Sequence, residues 1–229
     1  MKTPENPDAQ PRARVLVVDD HPIFRTGLSA LLDAQPGLTC CGQVAHAREV
    51  VEAVRQHNPD LLLLDLRLGD GDGLDLLPQL REHFPKLAVL VLSQSDEELY
   101  AERALRAGAR GYIMKEEVTE DVLTAIHALL AGGYYTSSKL SGRLMQGFFA
   151  GGAKTRGGGV AALGNRELQI FRMLGEGLSC KRIAERLSIS IKTVQTHREN
   201  IKHKLHLPDG PTLLRHATTW VEQGDKPHE

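Results

Sequence analysis

Two apolar runs that each end at acidic residues constrain the fold of this chain more than any other feature. The run at residues 15–18 is followed by Asp19 and Asp20, and the run at residues 61–64 is followed by Asp65. Short Val- or Leu-rich runs of this kind are typical of buried strands in a parallel sheet. The carboxyl ends of such strands meet at one edge. Three aspartates are therefore expected to converge there, where a divalent cation would relieve their repulsion; their hard oxygen ligands suit Mg²⁺.

Strand-like and helix-like segments alternate through the first half of the chain. Five strands are predicted at residues 15–19, 38–44, 61–65, 88–92 and 111–114. Five helices are predicted between and after them, at residues 23–34, 47–57, 74–83, 99–107 and 119–131. This alternation over about 120 residues predicts a doubly wound α/β domain with a sheet of five parallel strands.

The net charge of −1 conceals a division between the two halves of the chain. Residues 1–133 contain 13 basic and 21 acidic residues, a net charge of −8, whereas residues 134–229 contain 15 basic and 8 acidic residues, a net charge of +7. Such asymmetry indicates two domains with different partners, because an acidic half favours cations and a basic half favours polyanions such as nucleic acid.

A linker is predicted at residues 134–162, followed by an all-helical domain at residues 163–223. The linker contains a possible short helix at 141–150 and a Gly-rich stretch at 151–159, which is typical of flexible segments. A phosphate-binding loop is the rival interpretation, but the G-x-x-x-x-G-K-[ST] pattern is absent. Helices are predicted at residues 166–176, 180–187, 191–205 and 213–222. The short turn at residues 188–190 indicates a helix-turn-helix.

Several separated motifs give the first domain a family resemblance. They are the pair Asp19 and Asp20, Asp65 with Gly73 after it, Ser93 at a strand end, and Tyr112 and Lys115 in the sequence Gly-Tyr-Ile-Met-Lys. In these motifs residues 13–133 resemble the receiver domains of two-component response regulators, which implies a flavodoxin-like fold for this domain. The departure is Gly69, where the family often has proline.

The receiver resemblance implies a role for each matching residue. Asp65 is expected to accept a phosphoryl group, as a carboxylate nucleophile. Mg²⁺ is expected to be held by Asp19, Asp20, Asp65 and the backbone carbonyl of Arg67. Lys115 would supply a positive charge to the phosphoryl oxygens. Ser93 would donate a hydrogen bond that exists only after phosphorylation, and Tyr112 would change with it as a switch residue.

Each of these residues also has a more ordinary interpretation. Taken singly, an aspartate after a strand is often a loop residue or a helix cap, Tyr112 is more typical of a core, and Lys115 of a surface. A Mg²⁺-dependent aspartyl-phosphate phosphatase would also use a strand-end carboxylate. Such enzymes usually carry a second aspartate two residues beyond the nucleophile, and this chain has Arg67 there.

The second domain has a resemblance of its own. It rests on Arg166-Glu167, on Gly177-Leu178-Ser179 and on the run from Ile191 to Lys202. Residues 163–223 resemble the LuxR-type DNA-binding domain, and the whole arrangement resembles the NarL/FixJ group of response regulators. The departure is Gly164, where threonine is common, and glycine is acceptable at a helix N-cap.

The helix predicted at residues 191–205 is expected to enter the major groove, which accommodates one α-helix. Gln195, Thr196 and Glu199 are expected to contact bases, and basic side chains to contact phosphates. The full set of predicted DNA contacts is Lys181, Lys192, Thr193, Gln195, Thr196, Arg198, Glu199 and Lys202. A solvated charged face is the alternative. Zinc binding by His203 and His206 is disfavoured, because no further ligand lies nearby in the sequence.

The combined resemblance implies a response regulator that acts as a transcription factor rather than an enzyme. A sensor histidine kinase would phosphorylate Asp65 and thereby control dimerisation and binding to double-stranded promoter DNA. A regulator that works without phosphorylation is the alternative. No apolar run reaches the roughly 20 residues that span a bilayer, and the polar N-terminus, expected to be a disordered lead-in, is unlike a signal peptide. These features and the three cysteines, an odd number, favour the cytoplasm.

Overall fold

A five-stranded parallel sheet forms the centre of the first domain in the computed structural model of the chain, which describes residues 12–94, 97–149 and 159–223. The strand order is β2-β1-β3-β6-β7. These strands are β1 (Ala13–Val18), β2 (Leu38–Val44), β3 (Leu61–Asp65), β6 (Ala88–Ser93) and β7 (Gly111–Met114). The predicted doubly wound α/β fold is confirmed, and the observed strand bounds agree with the predicted ones to within two residues.

Helices cover both faces of the sheet. One face packs against α1 (Pro22–Asp33) and α5 (Val118–Leu130), and the other against α2 (Val50–His57), α3 (Gly73–His83) and α4 (Glu97–Ala107). Alternate residues of β3 enter the two cores: Leu61 and Leu63 lie on the α1 side, and Leu62 and Leu64 on the other. This burial on both faces explains why the strand is a continuous apolar run instead of an alternating pattern.

A hairpin with two residues in each strand follows β3 and was not predicted from the sequence. Strand β4 (Arg67–Leu68) pairs antiparallel with β5 (Gly71–Asp72). The chain then turns back sharply at Gly73, whose amide donates to the carbonyl oxygen of Leu66 at 2.9 Å. A Cβ atom at this position would lie 2.5 Å from the carbonyl oxygen of Asp65, which is too close, so the turn at this position requires glycine.

The segment after the sheet stays attached to the first domain. The amide of Tyr135 donates to the carbonyl of Arg110, and the amide of Tyr112 donates to the carbonyl of Tyr135, each at 3.0 Å. Helix α6 (Ser138–Phe149) then packs near α4 and buries Leu140. The helix expected at residues 141–150 therefore begins three residues earlier. The N-terminal lead-in and most of the Gly-rich stretch fall outside the described residues.

Four helices form the second domain: α7 (Asn165–Gly175), α8 (Cys180–Arg186), α9 (Ile191–Lys204) and α10 (Gly210–Glu222). Helices α7 and α10 cross so closely that a Cβ on Gly175 would collide with the carbonyl oxygen of Ala217. The ring centroids of Phe171, on α7, and Trp220, on α10, lie 5.4 Å apart, and both side chains are fully buried. This core holds α8 and α9 in the predicted helix-turn-helix arrangement.

Candidate functional site

The predicted acidic cluster forms at the carboxyl edge of the sheet. Val18 of β1 is in register with Leu64 of β3, so Asp19 and Asp65 follow the same step of two adjacent strands. Both side chains are buried, with 1% and 2% of the residue surface exposed. Two carboxylates this deeply buried need compensating partners, because desolvation penalises their charged forms.

Lys115 supplies the compensating charge. It follows β7, which is separated from β3 by β6, and its side chain extends across the edge of the sheet. Its Nζ atom donates to Asp19 Oδ2 at 2.6 Å and to Asp65 Oδ2 at 2.7 Å. Only 5% of the lysine side chain is exposed. The ammonium thus bridges the two carboxylates inside the protein, and the surface alternative for Lys115 is wrong.

Asp65 has an unusual protonation equilibrium. Burial raises its pKa to about 6, and the nearby charge of Asp19 acts in the same direction. The charge and hydrogen bond of Lys115 oppose this rise, as does the hydrogen bond from the Arg67 amide to Asp65 Oδ1 at 3.0 Å. The carboxylate form, which is the nucleophilic one, is therefore the main form at neutral pH.

Asp20 and His21 complete the acidic cluster on its solvent side. Nδ1 of His21 lies 2.7 Å from Asp20 Oδ1, and the His21 amide donates to Asp19 Oδ1 at 2.8 Å. Single ligand atoms of Asp19, Asp20, His21 and Asp65 all lie within 4.8 Å of one another. Carboxylate oxygens are the ligands that Mg²⁺ prefers, and Asp20, with 30% of its side chain exposed, leaves a path for an ion that keeps several waters. The donor set therefore fits a hard divalent cation.

The two predicted switch residues lie in the sheet itself. Asp65 is in register with Leu92 of β6, so Ser93 lies one step beyond it at the same edge. Ser93 is fully buried and is in register with Met114 of β7. Tyr112 is also fully buried, within the core on the α3 and α4 side of the sheet. Ser93 is thus adjacent both to the carboxylate cluster and to the strand that carries Tyr112.

The helix-turn-helix is shaped by its caps. The hydroxyls of Ser179 and Ser190 accept from the amides of Arg182 and Thr193, as expected for N-caps. Ser188 between the two helices has φ of 52°, the left-handed conformation that lets the turn be short. Helix α9 inserts Val194 and Ile201 into the domain core.

The predicted DNA contacts lie on or beside the outer face of α9. Lys192, Gln195 and Glu199 are exposed, as is Lys181 on α8. Nζ of Lys202 lies 2.7 Å from Glu199 Oε2, so these neighbours form an ion pair on this face. The remaining three members make hydrogen bonds within the helix-turn-helix: Thr193 with the Ser190 cap, Thr196 with the Lys192 carbonyl, and Arg198 with Cys180 Sγ of α8 at 3.1 Å.

A contact between the two domains was missed by the sequence reasoning. Nη2 of Arg103 on α4 donates to the carbonyl oxygens of Ala161 and Leu163 at 3.0 and 2.8 Å, and its Nη1 donates to Asn165 Oδ1 at 3.0 Å. Burial lowers the pKa of this guanidinium. An arginine in an amphipathic helix carries no signal that its partners lie about 60 residues away, so only the tertiary structure identifies it.

A second part of the interface joins α7 to the hairpin after Asp65 and to the first turn of α3. Arg166 Nη1 lies 3.5 Å from Asp75 Oδ2. Asp72, the N-cap of α3, is buried; burial raises its pKa, and the charge of Arg172 on α7 lowers it. The loop that begins at Asp65 therefore ends against the second domain. The outer face of α9 is not covered by this interface.

Comparisons with known proteins agree with both domains. Residues 15–127 match the model of the response regulator receiver domain, and residues 161–217 match that of the luxR family of bacterial regulatory proteins. The oxygen regulatory protein NreC of Staphylococcus carnosus is 33% identical over 208 residues, which cover 89% of this chain and 96% of NreC. The chain belongs to the family of two-component response regulators with a LuxR-type DNA-binding domain, a family of transcription regulators and not of enzymes.

Solved structures show the same architecture. A LuxR-family response regulator from Aurantimonas sp. SI85-9A1 is 30% identical, covers 59% of this chain and 96% of its own, and has a TM-score of 0.55. RcsB from Salmonella enterica serovar Typhimurium, bound to the promoter rprA with the phosphomimetic BeF₃⁻, has a TM-score of 0.66 at 23% identity. It covers 90% of this chain and 98% of its own, and this likeness concerns the fold. None of the helices in the described residues is long and apolar enough to cross a membrane.

Proposed function

We propose that this response regulator is phosphorylated on Asp65 by a partner sensor histidine kinase and that the phosphorylated chain binds double-stranded promoter DNA as a homodimer in the cytoplasm. The observation that carries the proposal is the buried Asp65 carboxylate, held 2.7 Å from the Lys115 ammonium beside Asp19. A nucleophile, a cation and further carboxylates together meet the needs of phosphoryl transfer to a side chain.

The covalent step exchanges one bond at phosphorus. A carboxylate oxygen of Asp65 attacks the phosphorus atom of the kinase phosphohistidine, and the P–N bond breaks with its electron pair left on the imidazole nitrogen. The acyl phosphate of Asp65 is the product, and the imidazole takes a proton from solvent. The carboxylate must be ionised to attack, which the pKa of about 6 allows at neutral pH.

Charge in the site is balanced by the residues around Asp65. Mg²⁺ held by Asp19, Asp20, Asp65 and the carbonyl of Arg67 would neutralise phosphoryl oxygens during transfer. Lys115 already donates a hydrogen bond to Asp65, so it needs only to redirect one N–H from the carboxylate to a phosphoryl oxygen. The donor set of the cluster, three carboxylates open on the side of Asp20, supports this assignment.

Control of DNA binding follows from the position of Ser93. A hydrogen bond from its hydroxyl to the acyl phosphate would exist in only one state and would bias β6, α4 and the strand of Tyr112. Helix α4 carries Arg103, which bonds to the chain at the start of the second domain. Because the outer face of α9 is exposed in this arrangement, phosphorylation is proposed to act on domain contacts and pairing of two chains instead of on uncovering α9.

The test of this proposal is the chemistry of the modified residue. The chain is treated with acetyl phosphate and Mg²⁺, and phosphate uptake is followed by intact mass and by lability in acid and base, which together mark an acyl phosphate. Asp65→Asn keeps the shape of the side chain and should take up nothing, while Asp60→Asn, a control at the opposite edge of the sheet, should be labelled normally. Normal labelling of Asp65→Asn would contradict the proposal.

A further inference from the structure

The Lys115 ammonium has a third neighbour besides the two carboxylates. The ring of Phe24, on α1, has its centroid 4.6 Å from Lys115 Nζ. An ammonium group carries three N–H donors, and two are directed at Asp19 and Asp65. With 5% of the lysine side chain exposed, the aromatic face takes the place of water on one side of the cation.

Phe24 is fixed in place by its own surroundings. It lies in the first turn of α1, after Pro22 at the start of the helix, and it packs against the core between α1, α5 and the sheet. It also lines a cleft of about 390 Å³ that opens beside the site, together with Lys115, Ile23 and Gln94. The neighbouring Ile23 is 90% exposed, so of these two apolar side chains Phe24 is the one held against the site.

We infer that Phe24 is a positioning residue for phosphoryl transfer, which holds the Lys115 ammonium at the site when its bond to Asp65 is given up. The inference rests on the proposed function. In the unmodified chain the carboxylates of Asp19 and Asp65 are enough to hold the ammonium. Once Asp65 forms an acyl phosphate, its oxygen loses most of its charge and Lys115 must turn to the phosphoryl oxygens. The attraction of the cation to the ring does not depend on this change, so it keeps the ammonium within reach.

This role predicts a specific pattern in two substitutions. Phe24→Leu keeps an apolar side chain but removes the aromatic face, whereas Phe24→Tyr keeps the ring. With Mg²⁺ saturating, Phe24→Leu is expected to bind the phosphoryl analogue beryllofluoride on the order of fivefold more weakly, and Phe24→Tyr to bind it within about twofold of the parent chain. Affinity for Mg²⁺ alone should stay within about twofold in both variants, because the ring contacts the cationic lysine and not the carboxylates.

The experiment is calorimetric titration of the full chain with Mg²⁺ and then with beryllofluoride, together with NMR of a ¹³C-lysine sample. The ring should shift the Lys115 Cε protons upfield in the parent chain and in Phe24→Tyr, and this shift should be lost in Phe24→Leu. Ile23→Ala is the matched control, which removes the exposed neighbour and should change neither quantity. Thermal unfolding verifies that each variant is folded.

The outcomes separate this inference from the proposed function. Equal beryllofluoride affinity in Phe24→Leu and the parent chain would overturn the positioning role alone. An equal loss of beryllofluoride affinity in Phe24→Leu and Phe24→Tyr would show that Phe24 acts through the packing of α1, and this would also overturn the positioning role. If the parent chain neither binds beryllofluoride nor takes up phosphate, the proposed function itself fails, and the role of Phe24 fails with it.

Discussion

Nη2 of Arg103 lies 2.8 Å from the carbonyl oxygen of Leu163, so a receiver side chain binds the main chain just ahead of the first helix of the DNA-binding domain. The same guanidinium donates to the Ala161 carbonyl and to Asn165 Oδ1, so one side chain makes three hydrogen bonds to residues 161–165. Because α4 also follows the strand that ends at Ser93, Arg103 links an element next to the acidic cluster to the DNA-binding domain.

Arg103→Ala is expected to loosen the attachment of the second domain. Loss of its hydrogen bonds should make the amides of residues 163–168 exchange about tenfold faster, which corresponds to about 1.4 kcal/mol for opening. Hydrogen exchange followed by mass spectrometry measures this directly. Arg106→Ala is the control, because Arg106 pairs with Glu102, four residues before it, on the exposed side of the same helix. Equal exchange in both variants would show that the Arg103 contact does not hold the domains.

The stability of the chain should depend on pH through Asp65. Its pKa of about 6 in the folded chain lies above the roughly 3.9 of an unfolded aspartate. A group whose pKa is raised on folding makes its full contribution to stability below the unfolded pKa. This contribution is lost as pH rises through the folded pKa of about 6. Asp65→Asn cannot ionise. Between pH 4 and pH 7.5 without Mg²⁺, the free energy of unfolding of the parent chain should fall by on the order of 2–3 kcal/mol relative to that of the variant. Denaturant unfolding at both pH values checks this, and a difference that does not change with pH would contradict the raised pKa.

Ser93→Ala should separate phosphorylation from its consequence. The variant keeps Asp65, so it should accept phosphate from a small-molecule donor at the normal rate to within a few-fold. It lacks the hydroxyl that would bond to the acyl phosphate, so phosphorylation should no longer promote dimerisation. Light scattering of labelled and unlabelled samples measures the dimer. A dimerisation response equal to that of the parent chain would remove Ser93 from the switch.

The pair formed by Glu199 and Lys202 gives two opposite predictions on DNA. Lys202→Ala should weaken binding to all DNA about equally and lower the salt slope by about one, as expected for a single phosphate contact. Glu199→Ala removes a negative charge and should strengthen non-specific binding. If Glu199 accepts from a cytosine amino group, specific binding should fall by about 1–3 kcal/mol at that base. Affinities measured at fixed salt on selected and random DNA decide this, and an equal gain on both would make Glu199 only a repulsive charge.

The fold was predictable because the strands are buried on both faces. The continuous apolar run at residues 61–64 required a covered parallel strand, and its end at Asp65 fixed the edge of the sheet that carries the site. The family resemblance implied that Lys115 serves the site, since a lysine after a strand is otherwise typical of a surface, but its bridge between Asp19 and Asp65 was not predicted. Ser179 and Ser190 lie directly before the helices predicted at residues 180–187 and 191–205, and their hydroxyls cap these helices in the structure.

The unpredicted features depend on contacts distant in sequence or on very short pairing. The hairpin of β4 and β5 has two residues in each strand, too few for an alternating pattern. The acceptors of Arg103 lie about 60 residues further along the chain. The contact of Phe24 with Lys115 spans most of the receiver domain, and an aromatic residue in an amphipathic helix is indistinguishable in sequence from an ordinary core residue.

The most direct test of the account compares DNA binding by the parent chain and by Asp65→Asn, each before and after treatment with acetyl phosphate and Mg²⁺. The DNA is the sequence that the parent chain selects from a random pool, and both affinity and the number of chains bound are measured. The account predicts that treatment strengthens binding of the parent chain as a dimer and leaves Asp65→Asn unchanged. A parent chain that binds equally well before and after treatment, or an Asp65→Asn variant that responds like the parent, would contradict it.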